Sequence, residues 1–151
     1  MAVSELPVPQ HHEGLSRDKV TVHKFGGTSV GGPTQFRQVM SIVRRLVKAN
    51  SERPVIVVSA MSGITTKLYA AIHAAVEQSE EYKKILADIQ ATHLTCIREL
   101  SGNSLADSET ESLAQVVRRD IGEIEKHLKI VQTAKHCPDL ISDVILTELP
   151  A

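Results

Sequence analysis

Aromatic side chains make up only 3% of the 151 residues. They are Phe25, Phe36, Tyr69 and Tyr82, and tryptophan is absent. A core must therefore be built from Val, Ile, Leu and Ala, which suits buried parallel strands and helices. The same shortage argues against aromatic stacking platforms for single-stranded nucleic acid. Net charge is nearly absent too, with 17 Lys and Arg against 18 Asp and Glu. No strong field steers the chain to nucleic acid or to an anionic membrane, so neither is expected as a partner. Cys96 and Cys137 are too few for a disulfide scaffold and do not form a metal-binding pair, and no metal ligand is assigned. Apolar runs last only a few residues, far short of the roughly 20 that span a bilayer. The N-terminus has no basic segment followed by an apolar one, so it does not read as a secretory signal, and the cytoplasm is the default expectation.

What is present divides into a tail and one domain. Residues 1–19 carry Pro7 and Pro9 and show no apolar period, which predicts a disordered N-terminal tail. From Val20 to Phe25 the chain is short, β-branched and followed by glycine, the pattern of a strand. Phe36, Val39, Met40, Val43, Leu46 and Val47 then mark one buried helical face. Val55 to Val58 is a continuous apolar run, as in a strand covered on both faces. Strand, helix and strand make a βαβ unit, so the class is α/β. Further helices follow around Leu68 to Val76, Tyr82 to Leu100 and Leu113 to Val131, the last two readable as an antiparallel hairpin. Leu140 to Leu146 is expected to begin another strand.

Two segments carry chemistry. The first runs from Lys24 through Phe25, Gly26, Gly27, Thr28, Ser29, Val30, Gly31 and Gly32 to Pro33. Four of the eight glycines fall here, after a strand and before a helix. Glycine lets backbone N–H groups approach an anion without a Cβ in the way, and the following helix adds its positive end. Hydroxyls of Thr28 and Ser29 and the charge of Lys24 complete what looks like a phosphate cradle. Glycine-rich turns also join strands to helices without any ligand. Neither the P-loop, which needs Lys where Pro33 stands, nor G-x-G-x-x-G is matched. The second segment, Ser59 to Thr66, lies just past the second strand. Ligands of open α/β sheets bind beyond the carboxyl ends of the strands, so two parallel strands place both loops on one edge. Hydroxyls of Ser59, Ser62, Thr65 and Thr66 suit a small polar substrate. Taken alone, the loop reads better as a cap for the next helix.

As a pair, VHKFGGTSVGG and, about thirty residues later, VIVVSAMSGITTKL resemble the N-terminal part of aspartate kinases, in the amino-acid kinase family. The resemblance continues more loosely to Cys137-Pro138-Asp139, closest there to the kinase half of bifunctional aspartokinase–homoserine dehydrogenases. It implies a three-layer α/β/α amino-acid kinase-like fold. Residues 20–151 would supply only its N-terminal part, a βαβ unit plus a long helical hairpin.

The resemblance also implies residue roles. Lys24 would contact the ATP phosphates and stabilise the transferring group, Gly26 and Gly27 would shape the nucleotide loop, and Ser29 would lie by the phosphates. Ser59 and Thr65 would contact the aspartate. The implied reaction moves a phosphoryl group from Mg-ATP to the β-carboxylate of L-aspartate, giving 4-phospho-L-aspartate, the first step towards lysine, threonine and methionine. The intact enzyme is expected to be a homo-oligomer. The family's GE[RK]-x-S motif has no match, because Thr147 stands where its glycine would be and Leu149-Pro150 follows Glu148. Glu148 is therefore left out of the site. The family's adenine-binding half and regulatory domains also have no counterpart, so this chain alone is expected to be inactive. The alternative reading is a non-catalytic binding or interaction module.

Overall fold

The structure is a computed structural model and describes residues 19–48, 52–102 and 106–147. The expected tail lies outside the described residues except for Lys19, and Glu148 lies outside them as well. Strand β1, Lys19–Phe25, leads through a 3₁₀ turn at Gly27–Val30 into helix α1, Pro33–Lys48. Strand β2 follows at Glu52–Val58, then α2 at Ile64–Val76, α3 at Glu81–Ser101, α4 at Asp107–Ala134 and α5 at Asp139–Thr147. No described helix is long and apolar enough to cross a membrane.

The strands pair in parallel, with Val22 opposite Val55, Lys24 opposite Val57 and Phe25 opposite Val58. Side chains alternate across a strand, so Val22, Lys24, Val55 and Val57 share one face. The other face, with His23, Phe25, Ile56 and Val58, is half-buried, and α1 packs against β2. The uncovered face keeps Val20, Val22, Val55 and Val57 exposed by 58%, 68%, 46% and 42%. The continuous apolar run thus reads a two-faced strand correctly in composition, yet the described residues cover only one of its faces. The same narrowness explains why Met40 and Val47 of α1 stay exposed while Val39 is buried. Two strands do not reach across the whole apolar stripe of the helix.

The core sits in the helices. Ile64, Leu68, Ala71 and Ala75 of α2 meet Tyr82, Leu86 and Ile89 of α3 and Val117, Ile121, Ile124, Leu128 and Val131 of α4. The α4 residues step by four, three, four and three, which holds one stripe against its neighbours over several turns. Gln132, late in α4, donates from Nε2 to Glu80, just before α3, at 2.9 Å. The hairpin is therefore antiparallel. Gly102, at φ +40°, ends α3, and its N–H reaches the Arg98 carbonyl.

The segment expected to open a strand at Leu140 to Leu146 is helix α5. The Pro138 carbonyl accepts the N–H groups of Ile141 and Ser142 at 2.9 and 3.0 Å, which starts the turn. Ile141 and Ile145 lie one turn apart and pack on the core. Ser142 and Asp143 spoil any period of two, so helical packing prevails over β-branched composition.

Candidate active site

The KFGGTS segment leaves β1 and tightens at once. The Ser29 N–H donates to the Gly26 carbonyl at 2.8 Å, closing the 3₁₀ turn. Val30 is buried and anchors that turn. Pro33 occupies the first position of α1, where a missing N–H costs nothing. Beside the turn, a hollow of about 310 Å³ is lined by Phe25, Thr28, Ser29, Gln35, Gln38 and Val39 among others.

The second loop is held against the first. The Ser59 N–H donates to the Phe25 carbonyl at 3.0 Å, carrying the strand pairing one residue past β2. A Cβ added to Gly27 would lie 3.1 Å from the Ala60 carbonyl oxygen. One added to Gly31 would lie 3.4 Å from the Ser62 Cβ. The two loops are therefore in backbone contact, and Gly27 is the residue that permits it. Met61 is buried and pins the second loop to the core. Gly63 then takes the left-handed conformation, φ +83°, and starts α2.

Hydroxyl capping of α2 does not occur. Gly63 stands at the cap position, and no side chain bonds the first turn. No side-chain hydrogen bond among the described residues involves the hydroxyls of Ser59, Ser62, Thr65 or Thr66. Neither loop contains a carboxylate, and the first turn of α2 has no acidic residue.

The predicted site residues thus fall at one sheet edge, but on two sides of it. Phe25, Gly27 and Gly31 of the first segment meet Ser59, Ala60 and Ser62 of the second, and Thr65 follows in the first turn of α2. Lys24 is exposed and alternates to the uncovered face, whereas Ser29 lines the hollow on the α1 side. No hydrogen bond or ion pair among the described residues joins Lys24 to Ser29. Residue types alone do not reveal Met61 as an anchor or the Ala60 carbonyl as the contact of Gly27. The only local signal for them is the apolar Met set between Ser59 and Ser62.

A profile of the amino acid kinase family matches residues 19–125. The chain belongs to the amino acid kinase family. It is 33% identical over 130 residues to the bifunctional aspartokinase/homoserine dehydrogenase 1, chloroplastic, of Arabidopsis thaliana, covering 85% of this chain and 13% of that protein. The corresponding Zea mays protein is 30% identical over 145 residues, covering 96% of this chain and 14% of the relative. That of Daucus carota is 32% identical over 127 residues, covering 83% and 13%. This kinase-family chain therefore spans about an eighth of the length of these relatives. Both loops and the hairpin through Glu125 lie within the matched span.

Proposed function

We propose that this chain supplies the phosphate loop and the acceptor loop of an aspartate kinase. The backbone contact between Gly27 and Ala60 carries the reading, because it joins a cationic, glycine-rich loop to a hydroxyl loop at one strand edge. The β-carboxylate of L-aspartate is already ionised near pH 7, so no general base is required. The barrier is the approach of two anions, which positioning and positive charge overcome. Lys24 places its ammonium beside the transferring phosphoryl group of ATP. N–H groups of Gly26 and Gly27 and the hydroxyl of Ser29 orient the phosphates. Ser59 and Thr65 donate hydroxyls to aspartate and fix its direction of attack.

A fit to ATP phosphates is supported at Gly26, where nothing lies within 4 Å of the position a Cβ would take. Neither loop offers a carboxylate, so Mg²⁺ would be held by ATP oxygens rather than by these residues. When bound with ATP, Mg²⁺ supplies charge neutralisation. The intact enzyme is proposed to be a homo-oligomer. The cytoplasm is its proposed location, although the relatives are named as chloroplastic. Cell fractionation with an antibody to residues 107–134 separates the two compartments.

In a protein carrying a complete kinase domain, Lys24→Ala is expected to lower kcat by at least about 10²-fold, the scale of lost transition-state charge stabilisation. Circular dichroism should stay unchanged, since Lys24 is exposed. Turnover like that of the unaltered enzyme would remove Lys24 from its role. The 151-residue chain itself should give no aspartyl hydroxamate with ATP, aspartate and hydroxylamine. The uncovered valine face favours the second reading for this chain alone, an interaction module. A hydroxamate signal that vanishes in Lys24→Ala would exclude that reading.

A further inference from the structure

Each strand of the sheet has one neighbour among the described residues, so each keeps one unpaired edge. The two edges differ in what they offer. The Phe25 carbonyl accepts the Ser59 N–H, so Phe25 turns its backbone groups towards β2. That direction alternates along a strand, so Thr21 and His23 do the same. Val20, Val22 and Lys24 therefore turn their N–H and C=O groups outward, along the free edge of β1. On β2 the register turns Glu52, Pro54, Ile56 and Val58 outward. Pro54 has no N–H, so the β2 edge is interrupted where the β1 edge is continuous. Exposure points the same way. Val20 and Val22 are 58% and 68% exposed, against 46% and 42% for Val55 and Val57. An edge with a full set of donors and acceptors is a template for another strand.

We propose that β1 pairs through this edge with β1 of a second copy, antiparallel about a two-fold axis at Val22. The segment is complementary to itself in this register. Val22 falls opposite Val22 of the second copy, and Val20 falls opposite its Lys24. Each such pair exchanges two N–H···O=C bonds, because its residues turn their backbone groups outward on both copies. All these side chains lie on the uncovered face, where valine meets valine at the axis. Thr21 falls opposite His23 of the second copy on the other face, so no like charges face each other in the ladder. The main-chain bonds, rather than buried area, supply the affinity. A two-fold contact closes at two copies, and Pro54 denies the outer edges a full ladder, so assembly stops at the dimer. Pairing at this edge does not require the kinase reading.

Sedimentation velocity of the 151-residue chain is expected to show a concentration-dependent dimer and nothing larger. Val22→Pro removes the N–H at the axis and spares the β1–β2 ladder, because that N–H faces outward. It should raise the dimer dissociation constant at least about tenfold, the worth of two hydrogen bonds, with circular dichroism unchanged. Pro54→Val restores a donor to the β2 edge and should let dimers join into larger species. Should Val22→Pro fail to fold, nuclear Overhauser contacts between isotope-labelled and unlabelled copies of the unaltered chain decide the matter. Contacts from Val20 of one copy to Lys24 of the other are expected. A chain that stays monomeric up to about 1 mM would overturn the proposal. So would contacts between copies that run from Val22 to Val55, which mark packing face on face instead of edge on edge.

Discussion

In the helical bundle, Ile89, Ile124, Leu128, Val131 and Ile145 lose all contact with solvent, whereas in the sheet Val22 stays 68% exposed. Both regions are rich in aliphatic residues, so composition does not separate them. What separates them is the number of faces that find partners. Helices α2, α3, α4 and α5 close on one another. The two strands find α1 on one side and nothing described on the other. Stability is thus concentrated in the bundle, and the residues assigned to chemistry sit on the less supported edge. Binding loops are commonly drawn from such low-stability regions of a fold.

Substitution tests this contrast most strongly in the bundle. Leu128→Ala should destabilise the chain by about 2–5 kcal/mol, read as a lower midpoint in thermal or urea unfolding. Val22→Thr with Val55→Thr should change stability by only about 0.5 kcal/mol each, because both side chains are exposed. The threonine pair should instead reduce self-association in sedimentation velocity, since it removes the apolar face. Burying one valine fully is worth roughly 1.5–3 kcal/mol. Association unaffected by the pair would mean that the uncovered face is not what brings chains together. At the junction of the two regions, Gly63→Ala places a Cβ in the left-handed region and should cost about 1–2 kcal/mol. Hydrogen exchange should show that loss around Met61 to Leu68 first. The smallest effect concerns pH. Hydrogen bonds from Lys83 and Gln132 hold Glu80 below its usual 4.5. Its stabilising contribution is present above about pH 4.5 and is lost as pH falls through the lowered value. Glu80→Gln should flatten a slight acid sensitivity of the melting midpoint below that pH.

Much of this architecture is legible in the residues. The glycine bracket around Phe25, the stripe of α1 and the seam of α4 each follow one local period, and local periods survive folding. Leu140 to Leu146 misleads because the β-branched Ile141, Val144 and Ile145 favour strands locally. The Pro138 carbonyl starts the turn locally, and the burial of Ile145, which depends on partners distant in sequence, settles it as a helix. Met40 and Val47 mislead for a related reason. A stripe shows which side is apolar but not how wide its partner is. Within the site, the types at Lys24, Gly27, Ser59 and Thr65 point to chemistry. The contact of Gly27 with the Ala60 carbonyl is not legible, since residues 33 positions apart meet only through the parallel register.

That contact also offers the most direct test, because the central claim is that the two loops form one site. Gly27 has a negative φ open to any residue, so Gly27→Ala changes the contact and not the backbone preference. Its Cβ would lie 3.1 Å from the Ala60 oxygen, so the loops must part by a few tenths of an ångström. Steady-state kinetics of Gly27→Ala in a protein with a complete kinase domain should show KM rising several-fold, on the order of three to ten, for both ATP and aspartate, since small displacements of positioned groups are costly. A rise for ATP alone, with the aspartate KM unchanged, would contradict the account and separate the loops into independent sites.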